Sequence, residues 1–356
     1  MLAAVSLILI LSLALHARAT PTCPFSKPPE IRCNCASTNT NTLQSVVCQL
    51  GDVDTLPRFN EHPGQYSVAN ELLIQFTTPK AFYIEAASFV DFASIGRLSL
   101  ESLNGITSIT WNETALSGVR LANFRIDNIY HFNSAFAALQ NQETSNLQSL
   151  ELDAGGAYHL GKDDLKDFKK LRSFTITDTS ISTVDPDAFA GLEHVLANIT
   201  LVDADVSENL FPAIKNLRNL QSLDLSGNDF ASMDLSVLDG VQELSQLILD
   251  RNDLLHTLTV SALSKVPALL NSISVKKAGL KSLSSSLAGL LDRARFRTLD
   301  ISANRNLVCD QAIHWAAKYA LCTPARLNID AAQCSNLQHT SLEAYLKESV
   351  PDPCTR

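Results

Sequence analysis

Cysteine is the residue type with the clearest chemical potential in this chain, because thiols form disulfides, bind metals or act as nucleophiles. The sequence contains eight cysteines, and all of them lie near the two ends of the chain. They are Cys23, Cys33, Cys35 and Cys48 in the first group, and Cys309, Cys322, Cys334 and Cys354 in the second. An oxidising compartment favours two disulfides in each group over a four-thiolate zinc site.

Enzymatic chemistry finds little support in the remaining residues. The motifs G-x-S-x-G and H-E-x-x-H, the P-loop and the dinucleotide glycine fingerprint are all absent, and the histidines are scattered without metal-ligand spacing. Asp163 and Asp164 could serve acid-base chemistry. However, Leu165, Phe168 and Leu171 recur every three residues around them, which favours a segment with one buried and one solvated side. We therefore expect no catalytic residue, no metal and no cofactor.

The segment LQSLDLSGNDF, which begins at Leu220, combines two spacings. A helix would place apolar residues at intervals of three and four, and a strand would place them at intervals of two throughout. Here Leu223 and Leu225 can point inward from one short strand, while Asn228 lies where the chain turns away. The segment therefore predicts a strand followed by a bend, and it needs neighbouring copies to pair with.

Copies of this segment recur along most of the chain at a nearly constant period of about 25 residues. The clear copies start at Leu147, Leu171, Leu196, Leu220, Leu244, Leu270 and Phe296. Weaker copies start at Leu43, Ala69, Ile95 and Leu116, with a short step before the last start and a long step after it. The asparagine position is filled only by Asn228, Asn252 and Asn304. Elsewhere the position falls on Gly51, Thr77, Leu103, Phe124, Gly155, Thr179, Ala204 and Ala278.

The pattern L-x-x-L-x-L-x-x-N-x-L at this period resembles the leucine-rich repeat. That resemblance implies an α/β solenoid, a curved horseshoe with a parallel concave sheet of about 11 strands and an irregular or short-helical convex side. Each unit supplies one strand and one return segment, and stacking buries the apolar side of both. In the segment VDPDAFAGL we expect Phe189 and Leu192 to point inward, and Asn228 to satisfy buried backbone groups at the bend.

The cysteine groups resemble the end caps of extracellular leucine-rich repeat proteins. By that resemblance Cys23 pairs with Cys35 and Cys33 with Cys48. In the second group Gln311 replaces a cysteine of the cap motif, so Cys309–Cys334 and Cys322–Cys354 is one of three connectivities that remain open. Trp315 is expected to pack in that cap. The predicted organisation is a signal peptide at 1–19, a cap with the first strand at 20–56, repeats at 57–307 and a cap at 308–356.

The first residues of the chain indicate secretion. An apolar run from Leu2 to Leu15 precedes Ala17-Arg18-Ala19, the small-x-small pattern of signal cleavage, and the run is short for a membrane span. No later membrane span or lipid-anchor signal is expected. The net charge of −9 becomes −10 without Arg18, which disfavours nucleic acid and anionic membranes as partners.

Binding sites on this fold are expected at the outward positions of the concave strands. These positions are small, polar and mildly acidic, and the candidate binding residues are Glu151, Asp153, Thr175, Asp224, Asp250 and Lys276. Two N-x-S/T sequons predict glycosylation at Asn112 and Asn198. Because period-two geometry turns Asn198 toward solvent, a glycan there would direct partners to an end, a cap or the convex side.

The function that the resemblance implies is secreted, non-enzymatic protein binding or scaffolding. The divergent early repeats and the opening CPFSKPPEIRCNC are also similar, more loosely, to arthropod proteins related to the non-catalytic subunit of oplophorus-luciferin 2-monooxygenase. That similarity implies an accessory subunit of a secreted complex. The alternative is a secreted enzyme inhibitor or an innate-immune ligand-recognition protein. In either case the partner is expected to be an extracellular protein.

Overall fold

One curved sheet runs through the computed structural model of the chain. The structure describes residue 23 and residues 31–37, 42–56, 68–78, 80–90, 92–106, 108–130, 133–140, 146–153, 155–323 and 325–354. The expected signal peptide at 1–19 lies outside the described residues. Among the described residues, no helix has both the length and the apolar character needed to cross a membrane.

The sheet contains 13 strands, which follow one another in chain order. They are Ile31–Ser37, Thr42–Leu50, Val68–Phe76, Ser94–Ile106, Arg120–Ile129, Ser149–Asp153, Ser173–Thr177, Asn198–Val202, Ser222–Asp224, Gln246–Ile248, Ser272–Ser274, Thr298–Asp300 and Leu327–Asn328. The first two strands pair antiparallel, and all later neighbours pair parallel. Eleven strands belong to the eleven repeats, and each cap adds one more, so the predicted solenoid with a parallel concave sheet is confirmed.

Stacked leucine and isoleucine side chains on the inner side of the sheet hold the repeats together. Leu223, Leu247, Ile273 and Leu299 are successive partners in the strand register, and each is fully buried. The residues on either side of them in each strand face outward, as the period of two requires. Burying one such side chain contributes about 2 kcal/mol, and each repeat supplies several.

Asn228 closes the bend after its strand, as the sequence predicts. It is 1% exposed, and its Oδ1 accepts the backbone N–H groups of Ala204 and Val206 at 3.2 and 3.0 Å. Its Nδ2 donates to the carbonyls of Leu201 and Leu225 at 2.7 and 2.9 Å, and to a third carbonyl at 3.1 Å. The equivalent asparagines of the later repeats, Asn252 and Asn304, also donate to backbone carbonyls. The asparagine prediction is therefore confirmed at all three positions.

The predicted register of the repeat that starts at Leu116 is wrong. Phe124 pairs with Leu98 on one side and with Leu150 on the other, so it is an inward strand residue and does not occupy the asparagine position. The repeat therefore begins at Leu121, and the starts Leu43, Ala69, Ile95, Leu121 and Leu147 are equally spaced. The error arose because Phe124 replaces a leucine, while apolar Leu116 and Val119 imitate the motif shortly before the true start.

Short strands and helices form the outer side of the solenoid and the C-terminal end region. The strands are Thr55–Leu56, Phe82–Ile84, Ile109–Trp111, Ala157–Leu160, Ser180–Val184, Ser232–Asp234, Thr257–Thr259 and Ser282–Leu283. The α-helices are Asn133–Gln140, Leu210–Ile214, Ala288–Leu291 and Leu342–Ser349. The 3₁₀-helices are Leu235–Leu238, Leu263–Lys265, Ser285–Leu287 and Gln311–Ala316, and Lys318–Cys322 is a π-helix. Phe189 and Leu192 are buried beneath this side, as predicted.

Disulfides lie in both end regions of the solenoid. They join Cys23 to Cys35, Cys33 to Cys48, Cys309 to Cys334 and Cys322 to Cys354, which are the pairings considered from the cap resemblance. Gln333–Cys334 and Thr340–Ser341 form a small antiparallel pair in the C-terminal region. Trp315 packs there against Tyr319 at 5.9 Å between ring centroids, and its Nε1 donates to the Leu283 carbonyl at 3.2 Å.

Candidate functional site

The outward side chains of the concave sheet form rows that cross the strands. One row contains, in register, Gln49, Gln75, Glu101, Asp127, Asp153 and Thr177. Gln49 donates to Gln75 at 3.2 Å, and Gln75 donates to Glu101 at 2.8 Å. The row therefore changes from neutral amides at the N-terminal end of the solenoid to carboxylates further along it.

Arg125 connects the carboxylates of two adjacent strands. Its guanidinium bonds Asp127 at 2.8 Å and Glu151 at 3.3 Å, and Ser149 donates to the other oxygen of Glu151 at 3.3 Å. The hydrogen bond to Asp127 is the largest cause of the raised pKa of Arg125. These side chains are held in place before any ligand arrives. Binding another protein therefore orders fewer of them and costs less side-chain entropy.

Negative charge exceeds positive charge on the concave surface around Arg125. Burial raises the pKa of Asp153, and the neighbouring charges of Asp127 and Asp178 raise it further, although Arg125 opposes them. Asp178 is exposed at the turn after its strand, with a φ of 50°. We call Asp127, Glu151, Asp153 and Asp178 the acidic patch. Arg125 acts on three of these carboxylates, Asp127, Glu151 and Asp153, so negative charge is in excess and the patch attracts cationic groups.

An exposed aromatic ring lies at the edge of the acidic patch. Tyr130 follows the strand that contains Asp127, and 48% of its surface is exposed. A Cβ atom at Gly155 would lie only 2.3 Å from its ring, so the ring needs a glycine there, two residues after Asp153. Leu103, in the neighbouring strand Ser94–Ile106, is also exposed. Tyrosine is enriched at the centres of protein interfaces, so the edge offers an apolar anchor beside the charges.

The candidate binding residues predicted from the sequence divide into two sets, one in or beside the acidic patch and one in later repeats. Glu151 and Asp153 belong to the acidic patch, and half-buried Thr175 is the register partner of Glu151. Asp224 instead accepts hydrogen bonds from the N–H and hydroxyl of Ser226 at 3.0 and 2.6 Å.

Asp250 likewise serves the local structure of the concave surface. It accepts from the hydroxyl of Ser274 at 2.6 Å and from the N–H of Lys276 at 2.8 Å. The side chain of Lys276 lies 3.6 Å from Asp300. The later candidates thus stabilise the ends of their strands, and the structure does not bring them together with Glu151 and Asp153.

Four residues of this site were missed in the sequence, and one of them, Asp178, lies at the turn after its strand, beyond the outward strand positions that were considered. Arg125 and Asp127 were overlooked because the wrong register of their repeat removed both from the outward positions. The equal spacing of the repeat starts from Leu43 to Leu147 is the signal that could have found them. Tyr130 follows its strand, and no pattern in the sequence places it over Gly155.

The carboxylates considered for acid-base chemistry have structural partners. Asp164 accepts from the hydroxyl of Tyr158 at 2.5 Å and from the N–H of Gly161 at 2.8 Å. Burial is the main cause of the strongly raised pKa of Tyr158. Asp163 forms an exposed ion pair with Lys166 at 3.1 Å. Within the part of the chain that the structure describes, no group of three or more His, Cys, Asp or Glu residues could hold a metal ion.

The two sequons lie on opposite sides of the solenoid. Asn198 is exposed at the start of its concave strand, in register with Ser173 and Ser222. Asn112 follows the outer strand Ile109–Trp111, and its Nδ2 donates to the hydroxyl of Tyr83 at 3.1 Å. Asn198 thus stands at the edge where strands begin, whereas Asp153 and Asp178 lie at the edge where strands end.

Comparison with known proteins shows similarity in fold. No family model matches the sequence, and no curated protein matches it. The chain is similar to one in the octameric complex of Latrophilin 3, Unc5D and FLRT2 (LRR), with a TM-score of 0.56 and 14% identity over 87% of this chain and 94% of that chain. This similarity shows the fold alone, that of a leucine-rich repeat solenoid.

Two further structures are more distant. The Drosophila Toll–Spatzle complex gives a TM-score of 0.47 and 15% identity, over 85% of this chain and 48% of that chain. Human 5T4 (Wnt-activated inhibitory factor 1, trophoblast glycoprotein) gives a TM-score of 0.43 and 18% identity, over 85% and 93% of the two chains.

Proposed function

We propose that the chain is an extracellular, non-enzymatic binding protein that holds a cationic protein partner on its concave surface. The observation that carries the proposal is the acidic patch, in which cross-strand register collects carboxylates from three adjacent strands. Sites for catalysis need a nucleophile, base or metal beside a place for substrate, whereas a wide ordered surface suits recognition of another protein.

The partner that fits this surface presents arginine or lysine beside an apolar residue. Guanidinium groups bind carboxylates with two parallel hydrogen bonds, and Asp153 and Asp178 offer carboxylates for such contacts. Tyr130 would pack against the apolar residue at the edge. Electrostatic attraction would raise the association rate, and the buried aromatic contact would slow dissociation.

Glycosylation at Asn198, which we retain as a proposal, is compatible with this surface. A five-residue strand is about 13 Å long along its axis, and Asn198 occupies the opposite end from the patch. A glycan there would obstruct the edge where strands begin and leave the acidic patch accessible. From the sequence, a glycan at Asn198 was expected to keep partners off the whole concave face. We now propose that it would obstruct only the edge where the strands begin. Asn112 would carry its glycan on the outer side.

Secretion and the division into cap, repeats and cap form part of the same proposal. The apolar N-terminal segment at 1–19 supports secretion, and disulfides near both ends suit an oxidising compartment. An accessory subunit of a secreted complex is a narrower form of the proposal, and neither the fold nor the similar structures favour a luciferase in particular. A secreted inhibitor or an immune recognition protein remains the alternative.

Affinity capture from the native extracellular fluid, followed by mass spectrometry and a binding titration, tests the proposal. We expect a basic protein whose dissociation constant rises with salt. The double variant Asp153→Asn/Asp178→Asn should weaken its binding at least about tenfold, and Tyr130→Ala by a similar factor. A stoichiometric catalytic chain would support the accessory role, whereas a protease or a microbial ligand would support the alternative.

Matched controls separate the patch from general effects of charge and folding. Asp163→Asn/Asp167→Asn removes the same charge from the outer side, and Tyr83→Ala removes an exposed tyrosine there. Both controls should bind normally. If the controls weaken binding as much as the patch variants, or if the captured partner is acidic and insensitive to salt, the concave patch is not the binding surface.

A further inference from the structure

A basic pocket lies at the concave edge where the strands begin, opposite the acidic patch. Its volume is about 690 Å³, and it is lined by side chains of four successive repeats. Lys169, Lys170 and Arg172 supply three cations, and His194 adds an imidazole. All four side chains are exposed, and no carboxylate lines the pocket. In a chain of net charge −9, such a concentration of cations is unusual.

These cations form no direct ion pair with a carboxylate among the described residues. Elsewhere in the described chain many lysines and arginines form ion pairs, but none of the pocket's four side chains does. Lys170 donates to the neutral amide of Asn146 at 3.0 Å, and Lys169 donates to a backbone carbonyl. Glu193 lies nearby, yet its carboxylate accepts the N–H of Gly191 and does not line the pocket. Backbone hydrogen bonds are the largest cause of the lowered pKa of Glu193, and the charges of His194 and Lys169 lower it further, so these two cations are partly compensated. Lys170 and Arg172 form no ion pair among the described residues.

The backbone ladder fixes the shape of the pocket. Arg172 N–H donates to the Gln148 carbonyl at 2.8 Å, Ala197 N–H donates to the Arg172 carbonyl at 2.9 Å, and Gln221 N–H donates to the Ala197 carbonyl at 2.8 Å. These four residues therefore stand in one row with strands about 4.8 Å apart. Ala197 has the shortest side chain in the row, so it leaves a depression between Arg172 and Gln221.

Carboxamides complete the lining of the pocket. Gln148, Asn198, Asn219 and Gln221 surround the depression and offer both donors and acceptors. Asn219 uses only a long 3.4 Å bond to the Val195 carbonyl. Such groups pair well with sugar hydroxyls, while the lysines and the arginine pair with sulfate or carboxylate groups. The pocket volume lies within the range of small-ligand sites.

We propose that this basic pocket binds a sulfated polysaccharide, such as a heparin-like chain, by a short segment of a few sugar units. This proposal rests on the proposed extracellular location and adds a second, anionic ligand to the binding role. The ligand would bind chains in which Asn198 carries no glycan, because Asn198 lines the pocket. Nucleic acid is disfavoured because no Phe, Tyr or Trp side chain lines the pocket to stack on successive bases. An extended membrane surface would meet the repulsion of the acidic body around the pocket.

Titration calorimetry with a heparin-derived hexasaccharide tests the pocket in the full-length protein produced without N-linked glycans. We expect saturable binding that weakens as NaCl rises from about 50 to 300 mM, and no binding of the desulfated hexasaccharide. Lys170→Ala/Arg172→Ala should weaken binding at least about tenfold, since two charge-assisted contacts are lost. Arg172→Lys keeps the charge and should retain most of the affinity.

A control variant tests whether hexasaccharide binding depends on the pocket or on positive charge in general. Lys276→Ala/Lys277→Ala removes two charges outside the pocket and should leave hexasaccharide binding unchanged. Because a glycan at Asn198 would cover the pocket, all titrations use protein produced without N-linked glycans. The proposal fails if the hexasaccharide does not bind, if Lys170→Ala/Arg172→Ala has no effect, or if single-stranded DNA or phosphatidylserine vesicles bind as tightly. Because protein capture depends on the acidic patch, the Lys170→Ala/Arg172→Ala variant should still capture that partner.

Discussion

Replacing Asn228 by alanine should be among the most damaging polar substitutions in the repeats. The side chain is buried, and it makes five hydrogen bonds to the backbone of two repeats. Alanine would leave the N–H groups of Ala204 and Val206 buried without acceptors. An unsatisfied buried donor costs about 1–3 kcal/mol, so the two together cost about 4 kcal/mol. This loss is a large fraction of the stability of an ordinary domain.

Replacing Asn252 by alanine should cost less stability than replacing Asn228. Asn252 is equally buried, but its three hydrogen bonds all run from Nδ2 to carbonyls, at 3.0, 2.9 and 3.4 Å. Its removal leaves only acceptors, which carry a second lone pair, so we expect a loss of about 2 kcal/mol for Asn252→Ala. Asn219→Ala, which loses one 3.4 Å bond from a half-buried side chain, should change stability by less than about 1 kcal/mol.

Urea unfolding followed by far-ultraviolet circular dichroism measures these differences, with equal m-values required for the comparison. The expected order of destabilisation is Asn228→Ala, then Asn252→Ala, then Asn219→Ala. A loss below about 1 kcal/mol for Asn228→Ala, or a larger loss for Asn252→Ala, would refute the assignment of the cost to buried donors.

Three further predictions concern the core, the caps and the half-buried Asp234. Leu247→Asp should abolish secretion of folded protein, because a buried unpaired charge costs several kcal/mol, whereas exposed Gln246→Asp should be secreted normally. Non-reducing peptide mapping should find disulfides only within each end region, and a crosslink between the two ends would contradict the caps. Burial alone would raise the pKa of Asp234, but hydrogen bonds from Ser261 and Ser236 outweigh it and lower the pKa to about 2. The stabilisation from Asp234 is therefore present above its ordinary pKa of 3.8 and is lost as the pH falls through 2. Thermal melting of Asp234→Asn should be less sensitive to pH over that interval, and an unchanged pH profile would contradict this origin.

The sequence by itself determined the architecture of this protein. The recurrence of leucines at a period of about 25 residues implies one strand per repeat, because only stacked copies can bury the side chains of so short a strand. The alternation around Leu223 assigned the inward and outward faces, since successive strand residues point to opposite sides. Asn228 was identified from its position after the strand, where the bend leaves backbone groups to be satisfied.

The tertiary structure decided which side chains become neighbours. Adjacent residues in a row come from strands of different repeats, so one misplaced repeat start near Phe124 concealed Arg125 and Asp127. The pairing of the C-terminal cysteines, which sequence left open among three connectivities, depends on which thiols meet in space. The acidic patch and the basic pocket likewise arise from cross-strand register, because contacts between repeats depend on distance in space and not on any local pattern.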